Sequence, residues 1–127
     1  MTIDEYKSMS NNSKLKYRNQ KTIVDGIIFD SKKEADYYMQ LKILKQNGNI
    51  IDFLRQVPFL LHEYYFSPTD GPVRPIYYIA DFVVIKRDPN KFVKLEIHEV
   101  KGKWTKEAIF KRKMFQRKYL EYKFKII

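Results

Sequence analysis

The chain has no cysteine. That excludes disulfides, thiolate nucleophiles, zinc ribbons and iron–sulfur clusters together. Its two histidines, His62 and His98, are isolated and cannot build a zinc site by themselves. No apolar run approaches the roughly 20 residues of a membrane-spanning helix. The opening stretch MTIDEYKSMS lacks the apolar core of a signal peptide, and neither an internal repeat nor a low-complexity tract is present. The expectation is a cytoplasmic protein with no membrane partner.

What is present points to one packed domain. A length of 127 residues suits a single core but not two. A hydrophobic content of 44%, with 16% aromatic residues, argues for a globule, and Tyr and Phe dominate the aromatics as in a sheet covered by helices. The 25 Lys+Arg against 15 Asp+Glu give a net charge of +10. A polyanionic partner, DNA or RNA, follows from long-range attraction and counterion release. A soluble protein that is merely basic is the alternative.

Along the chain, residues 1–20 (with NNSKLKYRNQ at their end) read as a basic arm, either lying along phosphates or simply solvated. The remainder, 21–127, reads as the domain. Thr22–Phe29 carries two short apolar runs around Asp25-Gly26, a two-residue hairpin signal. Asp30-Ser31 opens a helix, with Glu34 three residues after Ser31 completing a capping box, and Asn47-Gly48 closes it after about Gln46. Glu34, Tyr37, Tyr38, Leu41 and Leu44 fall on one stripe of that helix. Ile50–Tyr65 reads as one strand or two, with Pro58 marking an edge or bend. Ser67–Pro75 reads as a loop. Strands follow at Ile76–Lys86 and Phe92–Lys101, joined by a turn at Arg87-Asp88-Pro89-Asn90. Thr105 caps a helix from Lys106 to about Leu120, and Tyr122–Ile127 reads as a terminal strand. The order is hairpin, helix, three mainly antiparallel strands, helix, strand: an α/β sandwich with a central mixed sheet flanked by helices.

Within this pattern four charged residues stand where apolar ones are expected. Asp81 sits at the centre of IYYIADFVVI, a strand apolar on both faces. In VKLEIHEVK, Glu99 and Lys101 continue the face of Val93, Leu95 and Ile97, whereas Lys94, Glu96 and His98 take the other, solvated face. Glu34 repeats the anomaly on the buried stripe of the first helix, although a capping box alone also explains it. An unpaired buried charge costs several kcal/mol, so four such residues need a reason.

Metal-assisted phosphodiester hydrolysis supplies one. A divalent cation such as Mg2+ or Mn2+ takes one or two carboxylates plus water and phosphate oxygens. Asp81 and Glu99 offer those carboxylates, and the carbonyl of Val100 offers a third oxygen. Lys101 shares the direction of Glu99 and could orient or deprotonate a water or steady the phosphate's charge. Glu34 could bind a second cation or hold a metal-bound water. The competing reading is a buried salt-bridge cluster in which Lys101 neutralises one carboxylate.

Asp81 followed by Glu99-Val100-Lys101 resembles the PD-(D/E)XK motif of the restriction-endonuclease-like nucleases, with Glu34 matching the helix glutamate of many members. The runs KTIVDGIIFDSKKEADYYMQLKIL, RQVPF, YYIADF and EVKG are similar to those of small phage-encoded proteins grouped as a domain of unknown function. That group is related to transposase endonuclease subunits and Holliday junction resolvases. The resemblance covers about Lys21 to the C-terminus, and departs from the motif in having Ala80 before Asp81 where proline is usual. It implies a restriction-endonuclease-like fold and a magnesium-dependent DNA endonuclease acting in phage recombination, replication or DNA processing, with branched DNA among its substrates. Phage or host DNA-processing proteins are the implied protein partners. A single site in a small domain calls for a homodimer if both strands are cut.

For binding DNA, Lys103, Lys106, Lys111, Lys113 and Arg117 lie on or before the last helix, and Arg74 lies in the preceding loop. They would hold phosphates beside the scissile bond; a solvated basic face is the alternative. Trp104 could stack on a base, but Trp104, Phe110, Met114 and Phe115 are expected in the core. Gln56 is expected to be an ordinary surface residue, although its strand brings it towards the site. A non-catalytic nucleic-acid-binding module with a structural carboxylate cluster remains the second functional reading.

Overall fold

A computed structural model describes residues 21–100 and 102–127. The basic arm expected over 1–20, and Lys101, lie outside the described residues. The chain divides by its contacts into two compact units after Ile43.

In the first unit, strands β1 (Thr22–Val24) and β2 (Ile27–Phe29) form an antiparallel hairpin. Asp25 and Gly26 both have positive φ, +53° and +75°, as a type I′ turn requires. Helix α1 (Lys32–Gln46) starts where Ser31 Oγ accepts the Glu34 N–H at 3.1 Å, one half of the expected capping box. Phe29, Glu34, Ala35 and Leu41 are buried. The Tyr38 hydroxyl and the Lys42 ammonium both donate to Asp25, and the Lys42 bond does most to lower the Asp25 pKa. Gly48, at φ +76°, ends α1, its N–H donating to the Lys45 carbonyl.

The second unit is built on a four-stranded mixed sheet in the order β3 (Asp52–His62), β6 (Ile76–Arg87), β7 (Val93–Glu99), β8 (Lys123–Ile126). The first three strands are antiparallel, and β8 runs parallel to β7. Pro58 sits on β3, an edge strand, where a missing N–H is tolerated. The stretch expected as a loop over Ser67–Pro75 instead holds most of a small hairpin, β4 (Tyr65–Ser67) with β5 (Gly71–Val73). Breaker residues mark its tight turn, Gly71 having φ +76°, and not the absence of strands. Helix α2 (Lys106–Lys118) begins at Thr105, whose hydroxyl accepts the Ala108 N–H at 3.1 Å. Among the described residues no helix is long and apolar enough to cross a membrane.

The core of this unit is aromatic. Phe59, Tyr78 and Phe115 are buried together, with Tyr119, Tyr122 and Phe124 packed against them. Phe59 meets Phe115 at 4.9 Å and Tyr119 at 5.2 Å, both edge to face, geometry worth about 0.5–1.5 kcal/mol per pair beyond burial. Of the α2 residues expected in the core only Phe115 is buried; Phe110 and Met114 are 58% and 46% exposed. They sit off the narrow stripe that the helix turns inward.

Strict alternation fails at the level of Asp81, and the failure positions the site. Tyr78, Ala80 and Val83 all join the core cluster, although Ala80 and Val83 are an odd number of residues apart. On β3, Val57 packs on that cluster, whereas Phe53, two places further than Arg55, pairs its ring with Phe82 at 6.3 Å. Both strands therefore change phase at one level. Arg55 pairs with Phe82 and Val57 with Ala80, which leaves Gln56 opposite Asp81. Gln56 has φ +53°, a left-handed conformation costly for a side chain with a Cβ. Asp81 stands where its strand switches faces.

Candidate active site

Strand β7 stops at Glu99, not at Lys101 as the alternating pattern suggested. Its pairing with β6 runs through Phe82↔His98, so the next position sets Asp81 against Glu99. There the two carboxylates take up main-chain donors. Glu99 Oε1 accepts the Asp81 N–H at 3.1 Å, and Asp81 Oδ2 accepts the Val100 N–H at 2.9 Å. The Glu99 carbonyl turns the other way and accepts the Ile127 N–H at 2.8 Å. Each acid thus clamps the other's strand at the point where the two strands part.

Glu99 is fully buried. Its Oε1 also accepts the Tyr78 hydroxyl at 2.5 Å. Burial first, and then this bond to Glu99, pushes the Tyr78 pKa far up, so Tyr78 is a permanent donor. Sequence reasoning did not single out Tyr78. The available signal was a buried tyrosine in an apolar strand, whose hydroxyl must find a partner.

The expected residues divide as follows. Asp81, Glu99 and Val100 are brought together. Val100 contributes its N–H to Asp81. Glu34 belongs to the first unit and is buried there, with its main-chain N–H on Ser31. Lys101 lies outside the described residues. Lys103, Lys106, Lys113, Arg117 and Arg74 are exposed. At 3.6 residues per turn Lys106, Phe110, Lys113 and Arg117 share a stripe of α2 opposite the buried Phe115. Lys111 is half-buried and pairs with Glu107 at 3.0 Å. Trp104, expected in the core, is half-buried under the Arg112 guanidinium, 5.2 Å from its ring, with Phe124 on that guanidinium at 5.0 Å.

The other face of β7 departs most from expectation. Glu96 and His98 are not solvated: they are 1% and 4% exposed. Glu96 receives Lys86 at 2.9 Å, His98 Nε2 at 2.8 Å, and Lys94 and Lys125 each at 3.4 Å. Alternation alone could not reveal this, because Lys86 and Lys125 come from neighbouring strands whose register the sequence leaves open.

Among the described residues no group of three or more His, Cys, Asp or Glu side chains could hold a metal ion. The pair Asp81–Glu99 offers hard oxygen donors in the number that magnesium or manganese takes from a protein when water and phosphate complete the shell. It does not suit zinc, which needs three or four protein ligands including His or Cys.

A mixed α/β sheet with two acids clasped where two of its strands part describes the molecule's class. The chain belongs to the family described as "Protein of unknown function (DUF1064)", which matches residues 14–127. No curated protein and no solved structure matches it.

Proposed function

We propose that the protein is a metal-dependent DNA endonuclease that hydrolyses phosphodiester bonds at Asp81 and Glu99, with magnesium or manganese as its cation. The observation that carries this reading is the meeting of two carboxylates where β6 and β7 part, in a chain of net charge +10. Two carboxylates at one point of a sheet are the donor set that such a cation takes from a protein. When bound, such a cation neutralises the scissile phosphate and lowers the pKa of an attacking water.

The chain's own residues then have distinct tasks. Asp81 and Glu99 present oxygens. Tyr78 and the Asp81 N–H fix the Glu99 carboxylate, while the Val100 N–H fixes Asp81. The exposed stripe of Lys106, Lys113 and Arg117 draws in the phosphate backbone without reading bases. Lys101, on the motif EVKG, is the residue proposed to orient the attacking water. In the reaction, water's oxygen bonds to phosphorus, the bond from phosphorus to the leaving oxygen breaks, and water's proton passes to a base. The resemblance to phage nucleases further suggests work in recombination or DNA processing.

One observation favours the second reading, a non-catalytic DNA-binding module. Asp81 Oδ2 and Glu99 Oε1 already serve main-chain donors, so the pair has a structural task in closing the ladder. Cleavage of linear, flapped and branched DNA with magnesium or manganese separates the two. The nuclease reading expects activity in the wild type and its loss in Asp81→Ala and Lys101→Ala. DNA binding without metal-dependent cleavage of any substrate would leave only the binding module.

A further inference from the structure

Next to the carboxylate pair, the first half of β6 and the start of α2 enclose a cavity of about 260 Å³. Tyr77, Tyr78, Ile79, Trp104 and Lys111 are among the residues that line it. We infer that this cavity receives one unpaired nucleobase of the DNA strand on which Asp81 and Glu99 act. The inference deepens the nuclease reading and rests on it for the identity of the strand.

The chemistry of the walls favours a base over other occupants. At the wall Trp104, whose ring carries the Arg112 guanidinium, and Tyr78 are aromatic, and bases of single strands stack on such side chains. Lys111, held by Glu107 at 3.0 Å, places an ammonium at the wall, where ring nitrogens and carbonyl oxygens of a base accept hydrogen bonds. The Glu107 carboxylate, also at the wall, is an acceptor for an exocyclic amine. The volume lies below the roughly 300–1,000 Å³ of pockets for drug-sized ligands, so one ring system fits and a larger cofactor does not. The net charge of +10 and the exposed basic stripe of α2 attract a polyanion, and a nucleobase is the flat group that a polyanionic chain carries.

Tyr78 joins this cavity to the acids. Its side chain lines the cavity while its hydroxyl lies 2.5 Å from Glu99 Oε1. A base in the cavity would thus place its own strand within a nucleotide's reach of the carboxylates. A base stacked inside a duplex cannot enter such a recess without being extruded, at a cost of a few kcal/mol that is least for a base already unpaired. The substrate class is therefore DNA with unpaired nucleotides beside a duplex: a flap, an overhang or an open branch.

Trp104 is the chain's single tryptophan and reports directly on the cavity. The test is fluorescence titration without metal, so that no cleavage is needed. The probes are a flapped oligonucleotide, the same flap with an abasic site at each unpaired position in turn, and a fully paired duplex. The expected result is quenching by the intact flap and loss of affinity for one abasic position by roughly 5- to 100-fold, the range for one base stacked on aromatic side chains. Ala108→Phe, which puts a large side chain at the cavity wall, should erase that difference and leave duplex affinity unchanged. Equal binding of every abasic probe, or a base dependence that survives Ala108→Phe, overturns the inference even if the protein cuts DNA. Base-dependent binding in a protein that never cleaves supports the cavity's role and overturns only the hydrolysis.

Discussion

Glu96 and Glu99 stand three residues apart on one strand, both buried, on opposite faces of the sheet, and their surroundings differ in kind. Three lysines and a histidine converge on Glu96. Burial alone would raise its pKa. Hydrogen bonds from His98 and Lys86, with the charges of Lys86 and Lys125, outweigh that and hold it at about 2. Burial lowers the pKa of His98 in spite of the pull from Glu96, so a neutral imidazole N–H makes that bond. Glu99 is met by a tyrosine hydroxyl and a main-chain amide, and a second carboxylate crosses beside it. On one face the acid is met by cations; on the other a second acid lies beside it. Burial of a charge is thus no sign of function in itself, and what separates the two glutamates is the company each keeps.

The contrast predicts opposite phenotypes. Under the nuclease reading, Glu99→Gln should lower single-turnover cleavage on the order of 100- to 1,000-fold, the usual size when a group that stabilises charge in the transition state is lost. Glu96→Gln should cut normally. The comparison breaks if Glu96→Gln is the variant that abolishes cleavage.

Stability should run the other way. A carboxyl held at about 2 in the folded protein, against about 4.3 unfolded, contributes about 2–3 kcal/mol at neutral pH. Its folded pKa is depressed, so this stabilisation is present above about pH 4.3 and disappears as pH falls towards 2. Denaturant melts of the wild type should lose stability across that interval. Glu96→Gln should be weaker at pH 7 and lose less over the same range, since Asp25 and Asp52, also lowered, remain. A variant as steep as the wild type would show that another carboxylate carries the acid sensitivity.

Tyr78→Phe sharpens the comparison from the other face. It removes a hydroxyl from Glu99 while keeping the ring in the aromatic core. Loss of a hydrogen bond to a charged group should cost about 1.5 kcal/mol in a melt. If Glu99 is a ligand, manganese affinity, read by calorimetry, should fall by about 10-fold, as for other partners that orient ligands. An unchanged affinity would detach Tyr78 from any metal site.

The elements were legible where local chemistry decides them. Asp25-Gly26, Ser31, Asn47-Gly48 and Thr105 each mark a turn or cap that the backbone adopts. Asp81 and Glu99 were legible as misfits in apolar patterns, and they do meet. What escaped needs register between strands: the cations around Glu96, the reach of Tyr78 to Glu99, and the phase change at Asp81. Aromatic and thioether side chains usually lie inside, which is the expectation for Phe110 and Met114, yet α2 buries only the stripe of Phe115. The hairpin β4–β5 was hidden because its strands are three residues long and its turn residues dominate the segment.

The smallest expected effect concerns that phase change. Asp25 and Gln56 share φ +53°. At Asp25 the two-residue turn demands it, and the bonds from Tyr38 and Lys42 offset the strain. Gln56 is in mid-strand, where no turn demands it, directly across from Asp81. Glycine adopts this conformation freely, at some cost in chain entropy. Gln56→Gly should therefore raise stability by about 0.5–1 kcal/mol, measured by thermal melts, since relief of a left-handed residue is worth somewhat more than the added flexibility. A loss of stability would mean that contacts of the Gln56 side chain outweigh the strain and hold the kink in place. A gain, accompanied by slower cleavage, would mean that the strained residue is kept for its place beside Asp81 and not for the fold.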